Sequence, residues 1–179
     1  MATAPPLLSI NEYLHTSYKP DVHFVDGEIE ERNVGERPHS FIQGFITYLF
    51  TQNADAWRVD ALVEQRIRID SNRVRVCDVA VVSQDAPFED VVTVPPLLCI
   101  EVLSPEDRLP RATRVLADYY ALGVTNIWLI DPYKRLAFTF NGADLQSADI
   151  TNLSVPGTPI QLDLTGPFAE LDRRQSERR

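Results

Sequence analysis

Lysine is nearly absent from this chain. Of its 17 basic residues only Lys19 and Lys134 are lysines, and the rest are arginines. A basic surplus is absent too: 26 acidic residues leave a formal net charge of -9. That balance excludes broad, unaided binding to nucleic acid, which leaves a basic footprint, and allows only a local one. The 3 histidines and 2 cysteines show no zinc-ligand spacing. Cys77 and Cys99 fall inside apolar runs, where a thiol behaves as a small hydrophobe, so no disulfide is expected between them. No apolar run approaches the ~20 residues of a membrane span, and the N-terminal stretch lacks a basic-then-apolar signal pattern. A cytoplasmic placement and no membrane partner are expected. Internal repeats, a Gly-rich phosphate loop, a G-x-S-x-G elbow and a dinucleotide fingerprint are all missing, which removes the commonest nucleotide and acyl-transfer chemistries.

What is present suits one domain. The chain has 179 residues, 44% apolar and 24% charged, enough to bury a sizeable core. Residues 1–8 read as a disordered N-terminus, 9–170 as the domain and 171–179 as a charged tail, because Arg173, Arg174, Arg178 and Arg179 crowd the end. Ser9 followed by Glu12 forms a capping box for a short helix. Asp26-Gly27 between two short alternating segments predicts a hairpin. Apolar positions 41, 42, 45, 46, 49 and 50 recur at helical spacing and predict an amphipathic helix over 39–50. Residues 57–59 and 62–69 read as strands, and 83–90 as an acidic, Pro-bearing, mobile loop. A helix over 110–122 stops at Gly123. It is followed by strands at 126–132 and 136–140. Strand, helix and strand in succession predict a parallel pair with a right-handed crossover, and the whole reads as α/β with a mixed sheet.

The centre of the chain is its most informative part. The runs 74–82 and 95–105 are rich in Val, Ile and Leu, as strands covered on both faces are. Each carries one acid, Asp78 in the first and Glu101 in the second. A buried carboxylate is costly unless a cation, donors or a raised pKa compensates it. Two of them suggest a shared cation. The alternative is that each acid sits at a strand end and meets solvent or an arginine.

Five pieces of the sequence together resemble the Uma-type restriction endonuclease family, a branch of the PD-(D/E)XK nuclease superfamily. They are Val25-Asp26-Gly27-Glu28-Ile29, the helix beginning at His39, Cys77-Asp78-Val79, Pro95-Pro96 running into Ile100-Glu101-Val102-Leu103-Ser104, and Gly123-Val124 leading to Trp128-Leu129-Ile130-Asp131-Pro132. The likeness covers about residues 8–140. It implies a restriction endonuclease-like core, a mixed β-sheet flanked by helices, and a metal-dependent endonuclease hydrolysing phosphodiester bonds in DNA. Asp78 and Glu101 match the ligand positions for Mg²⁺ or Mn²⁺, hard cations that accept oxygen ligands and keep several waters. Glu28 matches an upstream acid, and His39 lies at a family-typical position. Gln65 could face the same cleft, although an exposed strand residue is its simpler reading. Hairpin polarity and a solvated helix start are the simpler readings of Glu28 and His39.

The departure from the family is its lysine. The motif position two residues after the acid is Leu103, and the displaced position on the next helix, four residues before Tyr119, is Val115. Arg114 or Arg111 could supply the charge, and Arg114 is taken as the catalytic candidate. An arginine stabilises anionic charge but does not serve as a base. The alternative function is therefore a degenerate nuclease fold that binds nucleic acid or protein without cutting. An unrelated enzyme or structural dimer with incidental acids is a third possibility. A homodimer is expected, because cutting both strands of a duplex needs two sites and the aromatics at 41–50 and 136–140 exceed what one small core must bury.

Overall fold

The computed structural model describes residues 7–33 and 35–177; of the stretch 1–8 expected to be disordered, 1–6 lie outside the described residues, and the Leu8 N–H donates to the Gly27 carbonyl (2.9 Å). The two acid-bearing runs form the middle of an eight-stranded sheet. The longer is β4 (Arg73–Ser83), buried from Val74 through Val81, and the other is β5 (Leu98–Val102). From one side the order is β2 (Glu28–Glu30), β1 (His23–Val25), β4, β5, β6 (Ile127–Asp131), β7 (Leu136–Phe140) and β8 (Leu145–Ser147). A further strand, β3 (Val59–Asp70), lies along the opposite edge of β4. β5 and β6 pair in parallel across the helix that joins them, and the other strand ladders are antiparallel.

Helices cover both faces, which explains the lack of apolar alternation in β4 and β5. On one face α2 (Arg37–Gln52) sets Ile42, Ile46 and Phe50 against Val79, Val81, Ile100 and Val102. On the other α4 (Leu109–Leu122) sets Val115, Leu116 and Tyr119 against Cys77, Ala80, Cys99 and Leu129. Each of these large side chains contributes about 1.5–3 kcal/mol by leaving water. A short helix, α1 (Ile10–Leu14), starts in the expected capping box and packs Tyr13 on Phe24 of the hairpin. The hairpin turns through Asp26 (φ 50°) and Gly27 (φ 89°), the left-handed pair that Asp-Gly supplies. Gly123 (φ 108°) closes α4. Cys77 and Cys99 are both free and buried.

The molecule differs from the sequence reading in three places. Residues 54–57 form a helical turn, α3 (Ala54–Trp57), not the start of a strand, because Trp57 packs edge-on against Phe50 at 5.2 Å. Arg58 then turns left-handed (φ 53°) and β3 follows without interruption. Beyond a small β9 (Leu153–Ser154) and β10 (Gln161–Leu162) ribbon, α5 (Thr165–Ser176) buries Phe168 and Leu171 in the core beside α2. The stretch read as a tail is therefore helical through Ser176. Arg173 and Arg174 belong to the helix's outer face, where both pair with Glu170. Finally, the aromatics of 41–50 and 136–140 are largely absorbed by the two faces of the sheet: Phe50 is buried on one with Phe41 and Phe45 packed beside it, Phe140 is buried on the other with Phe138, and Tyr48 is left exposed.

Two irregularities of the sheet create the site. β1 pairs with β4 at Arg73 and Val74, while β5 pairs with it from Val79 to Val81. The long β3 takes the other edge, so β1 and β5 diverge on one side of β4 and open a fork at residues 75–78. Opposite the fork, the β3–β4 ladder pairs Val63 with Val79 and Gln65 with Cys77 and skips Glu64 and Asp78. Glu64 is left-handed there (φ 53°). Leu62 and Ile67, five apart, consequently pack in the same core, as do Cys77 and Ala80, three apart. The pairing register is the same on either side, so the slip is one of pleat phase in both strands: it turns two acids, Glu64 and Asp78, out of the regular alternation.

Candidate active site at the strand fork

Asp78 is 3% exposed, and donors surround it. Its Oδ2 accepts the backbone N–H of Val102 (2.8 Å) and lies 3.3 Å from His39 Nε2, while its Oδ1 accepts from Arg32 Nη2 (2.6 Å). Its own carbonyl accepts from Gln43 Nε2 (3.0 Å). Burial alone would raise its pKa. The hydrogen bond from His39, the charge of Arg32 and the Val102 N–H more than offset burial and hold it below the usual carboxylate value. Glu101, one residue beyond the last β4–β5 pair, answers in the opposite direction. Burial, then the charge of Asp78, push it well above the ordinary glutamate value, although its Oε1 accepts from Tyr119 Oη at 2.6 Å. Burial also raises Tyr119 well above a free phenol. Two carboxylates on adjacent strands thus share one cavity and are driven apart in acidity.

That cavity, of about 60 Å³, occupies the fork and has room for a few water-sized ligands. His23, Arg32, His39, Asp78, Glu101 and Asp107 line it, together with Leu103, Arg111 and Val115. His23 Nδ1 accepts the Val76 N–H (3.0 Å), and burial, then the charges of Arg75, Arg32 and Arg111, keep this ring well below the usual histidine value, hence neutral. His39 is seated by Gly35, where any side chain would collide with the imidazole. Its Nδ1 is buried and has no partner among the described residues.

The cation of the site is Arg32, which the sequence reading did not single out. It follows the hairpin and is fixed at both ends of its guanidinium, by Nη2 to Asp78 and by Nη1 to Glu64. Glu64 is held in turn by Gln43 (3.0 Å). Burial would lower the arginine's pKa, but the Glu64 hydrogen bond and the charges of Asp78, Glu64 and Glu101 hold it above its ordinary value. The available signal was a lone basic residue after Glu30-Glu31, in a chain whose motif lysine is missing. Glu64 gave no signal, since its place depends on the slip.

The other candidates are placed as follows. Glu28 is exposed at the hairpin and does not line the cavity. The hairpin's Glu30 turns instead to Arg75 (2.5 Å). Arg114 is exposed on α4 and does not line the cavity, because its neighbour Val115 takes the inward position. Arg111 does line it, anchored on the Glu31 carbonyl. Gln65 faces away and donates to the carbonyls of Arg66 and Asp90. Both lysine positions of the motif, Leu103 and Val115, face the cavity as apolar groups.

Among the described residues no group of three or more His, Cys, Asp or Glu side chains is arranged to hold a metal ion. The donor set is Asp78, Glu101 and the backbone beside them. Such a set fits a hard, oxygen-seeking cation of the Mg²⁺ kind, which takes one or two carboxylates and completes its shell with water and substrate phosphate.

A family model, Uma2, described as "Putative restriction endonuclease", matches residues 10–167. No curated protein matches the chain. Among solved structures, the fold is similar to the crystal structure of a "putative nuclease belonging to DUF820" from Anabaena variabilis, with a TM-score of 0.77 and 20% identity over 92% of this chain and 99% of that one. No helix of the described residues is long and apolar enough to cross a membrane.

Proposed function

The chain belongs to the Uma2 family, and from that premise we propose that it is a metal-dependent endonuclease hydrolysing phosphodiester bonds in DNA. The observation that carries this reading is the convergence of Asp78 and Glu101 on one cavity with opposite displacements of their acidity. Divergent environments for paired acids characterise catalytic sites. Asp78 and Glu101 would hold Mg²⁺ or Mn²⁺; such an ion, when bound, supplies an activated water and offsets phosphate charge. His39, the Val102 N–H and Gln43 orient Asp78. Tyr119 orients Glu101. Glu28 and Arg114 are assigned outer roles at most, since neither lines the cavity. The test is cleavage of plasmid and single-stranded DNA with Mg²⁺ or Mn²⁺, which Asp78→Ala should abolish.

The second reading, a fold that binds nucleic acid or a partner without cutting, is favoured by the apolar residues at both lysine positions. Absence of cleavage with either cation would select it. For self-association we propose a homodimer through the shallow groove where Tyr48 and Val63 stand exposed between α2 and β3. Light scattering at tens of micromolar should give twice the chain mass, and a monomer would remove the idea.

A further inference from the structure

We infer that Arg32 is the phosphate-binding cation of this site, that it occupies Asp78 until a metal ion displaces it, and that Glu64 is the residue that positions it. The inference rests on the endonuclease reading and concerns how that same site is loaded. Three observations carry it. First, neither motif lysine position holds a charge, and Arg32 is the side chain whose guanidinium reaches Asp78 inside the cavity. Second, the guanidinium is shared between two acids, so loss of one partner does not strand it: when Asp78 turns to a metal ion, Nη1 stays on Glu64 and Nη2 is freed within the cavity. An arginine so held presents a fork that matches phosphate oxygens. Third, Glu64 has a left-handed backbone in mid-strand (φ 53°), a conformation that costs a non-glycine residue energy and recurs at functional sites. Its carboxylate is further fixed by Gln43, the same side chain that holds the Asp78 carbonyl. The slip of β3 thus builds a tether for Arg32 beside the acid it must leave.

The arrangement predicts effects of opposite sign. Removing Arg32 frees Asp78, so metal should bind more tightly while cleavage is lost. Removing Glu64 puts the whole guanidinium on Asp78, so metal should bind more weakly and cleavage should fall. A purely structural role would weaken both properties in both variants.

The experiment is calorimetric titration of the full chain with Mn²⁺, alongside single-turnover cleavage of a DNA duplex. Arg32→Gln should tighten Mn²⁺ about tenfold, the scale of an opposite charge beside a carboxylate. It should also slow cleavage about 100-fold or more, as losing one preorganised donor does. Glu64→Gln should raise the Mn²⁺ Kd several-fold. Arg32→Lys keeps the buried charge should Arg32→Gln not fold, and should retain much of the cleavage. Mn²⁺ affinity unchanged in Arg32→Gln, or moved the same way in both variants, would overturn the inference while leaving a metal-binding nuclease. Failure of every form to bind Mn²⁺ would overturn the metal reading and this inference with it. Metal binding without cleavage in any form would retire the phosphate role and leave the displacement to be decided by the two affinities.

Discussion

Two ion clusters stand on the same strand, β4, and only one of them has room for anything else. Toward its start, Arg73 and Arg75 share Asp118 of α4 at 2.7 and 2.6 Å. Arg73 also reaches Asp26 (2.9 Å) and Arg75 reaches Glu30 (2.5 Å). Two guanidinium groups meet three carboxylates, two of them partly exposed, and the cluster ties α4 to the hairpin. A few residues on, at the fork, Arg32 bridges Asp78 and Glu64 beside Glu101. There a cavity adjoins the pair, Arg111 lines it from α4, and Glu101 is left with its acidity suppressed. The first cluster is a strut. The second opens on a cavity where two carboxylates converge, which is what a cation site requires.

The largest effect expected from this contrast lies in the strut. Asp118→Ala leaves Arg75 buried with only Glu30 to meet it, and breaking such a pair costs about 3 kcal/mol or more. Urea unfolding should register that loss, and the stabilisation by metal should be unchanged. A metal response that fell with it would mean the clusters are one unit.

Val115→Lys sharpens the other side. Position 115 faces the cavity, so a lysine there adds the missing charge beside Glu101. Cleavage should rise about tenfold or more, within the range of one well-placed catalytic group. No gain in a protein that already cuts would show that Arg32 has made the lysine redundant.

Glu101→Gln probes the suppressed acid in metal-free buffer. Because the fold raises the Glu101 pKa, the stability it contributes is complete below its unfolded value, ~4.3, and is lost as pH rises through the folded one. Asp78, held low, does the reverse: its contribution is present above ~3.9 and is lost as pH falls through its folded value. Glu101→Gln should therefore raise stability at pH 7 to 8 by on the order of 1 kcal/mol and flatten the alkaline side of a plot of Tm against pH. A variant no more stable than wild type at pH 8 would contradict the buried, suppressed acid.

The smallest effect should come from Arg114→Ala. That exposed side chain does not line the cavity, so stability should stay within about 0.5 kcal/mol and the metal response should be unchanged.

Much of the frame was legible from local chemistry. The capping box at Ser9, the Asp-Gly hairpin, the stop at Gly123 and the parallel pair across α4 all follow from short-range rules, and each is found. The two acids stood out because carboxylates are rare inside apolar runs. The rest of the site depends on distance in sequence. Arg32 meets Asp78 across 46 positions and Glu64 across 32, and no pattern within either segment encodes that meeting. The slip at Glu64 is invisible to period-two reading, which is why Gln65, its neighbour, was the residue considered. The final helix was missed because Phe168 and Leu171 are too few to outweigh the run of charge around them, until α2 supplies the surface they cover.

The most direct measurement is the melting temperature of wild type and Asp78→Asn, with and without millimolar Mg²⁺ or Mn²⁺. If Asp78 and Glu101 hold the ion, wild type should gain stability in proportion to metal, about 2.7 kcal/mol at a hundredfold excess over Kd, and Asp78→Asn should gain none. A wild-type melt that does not move, or an Asp78→Asn melt that moves as far as wild type, would contradict the assignment of the fork as a cation site.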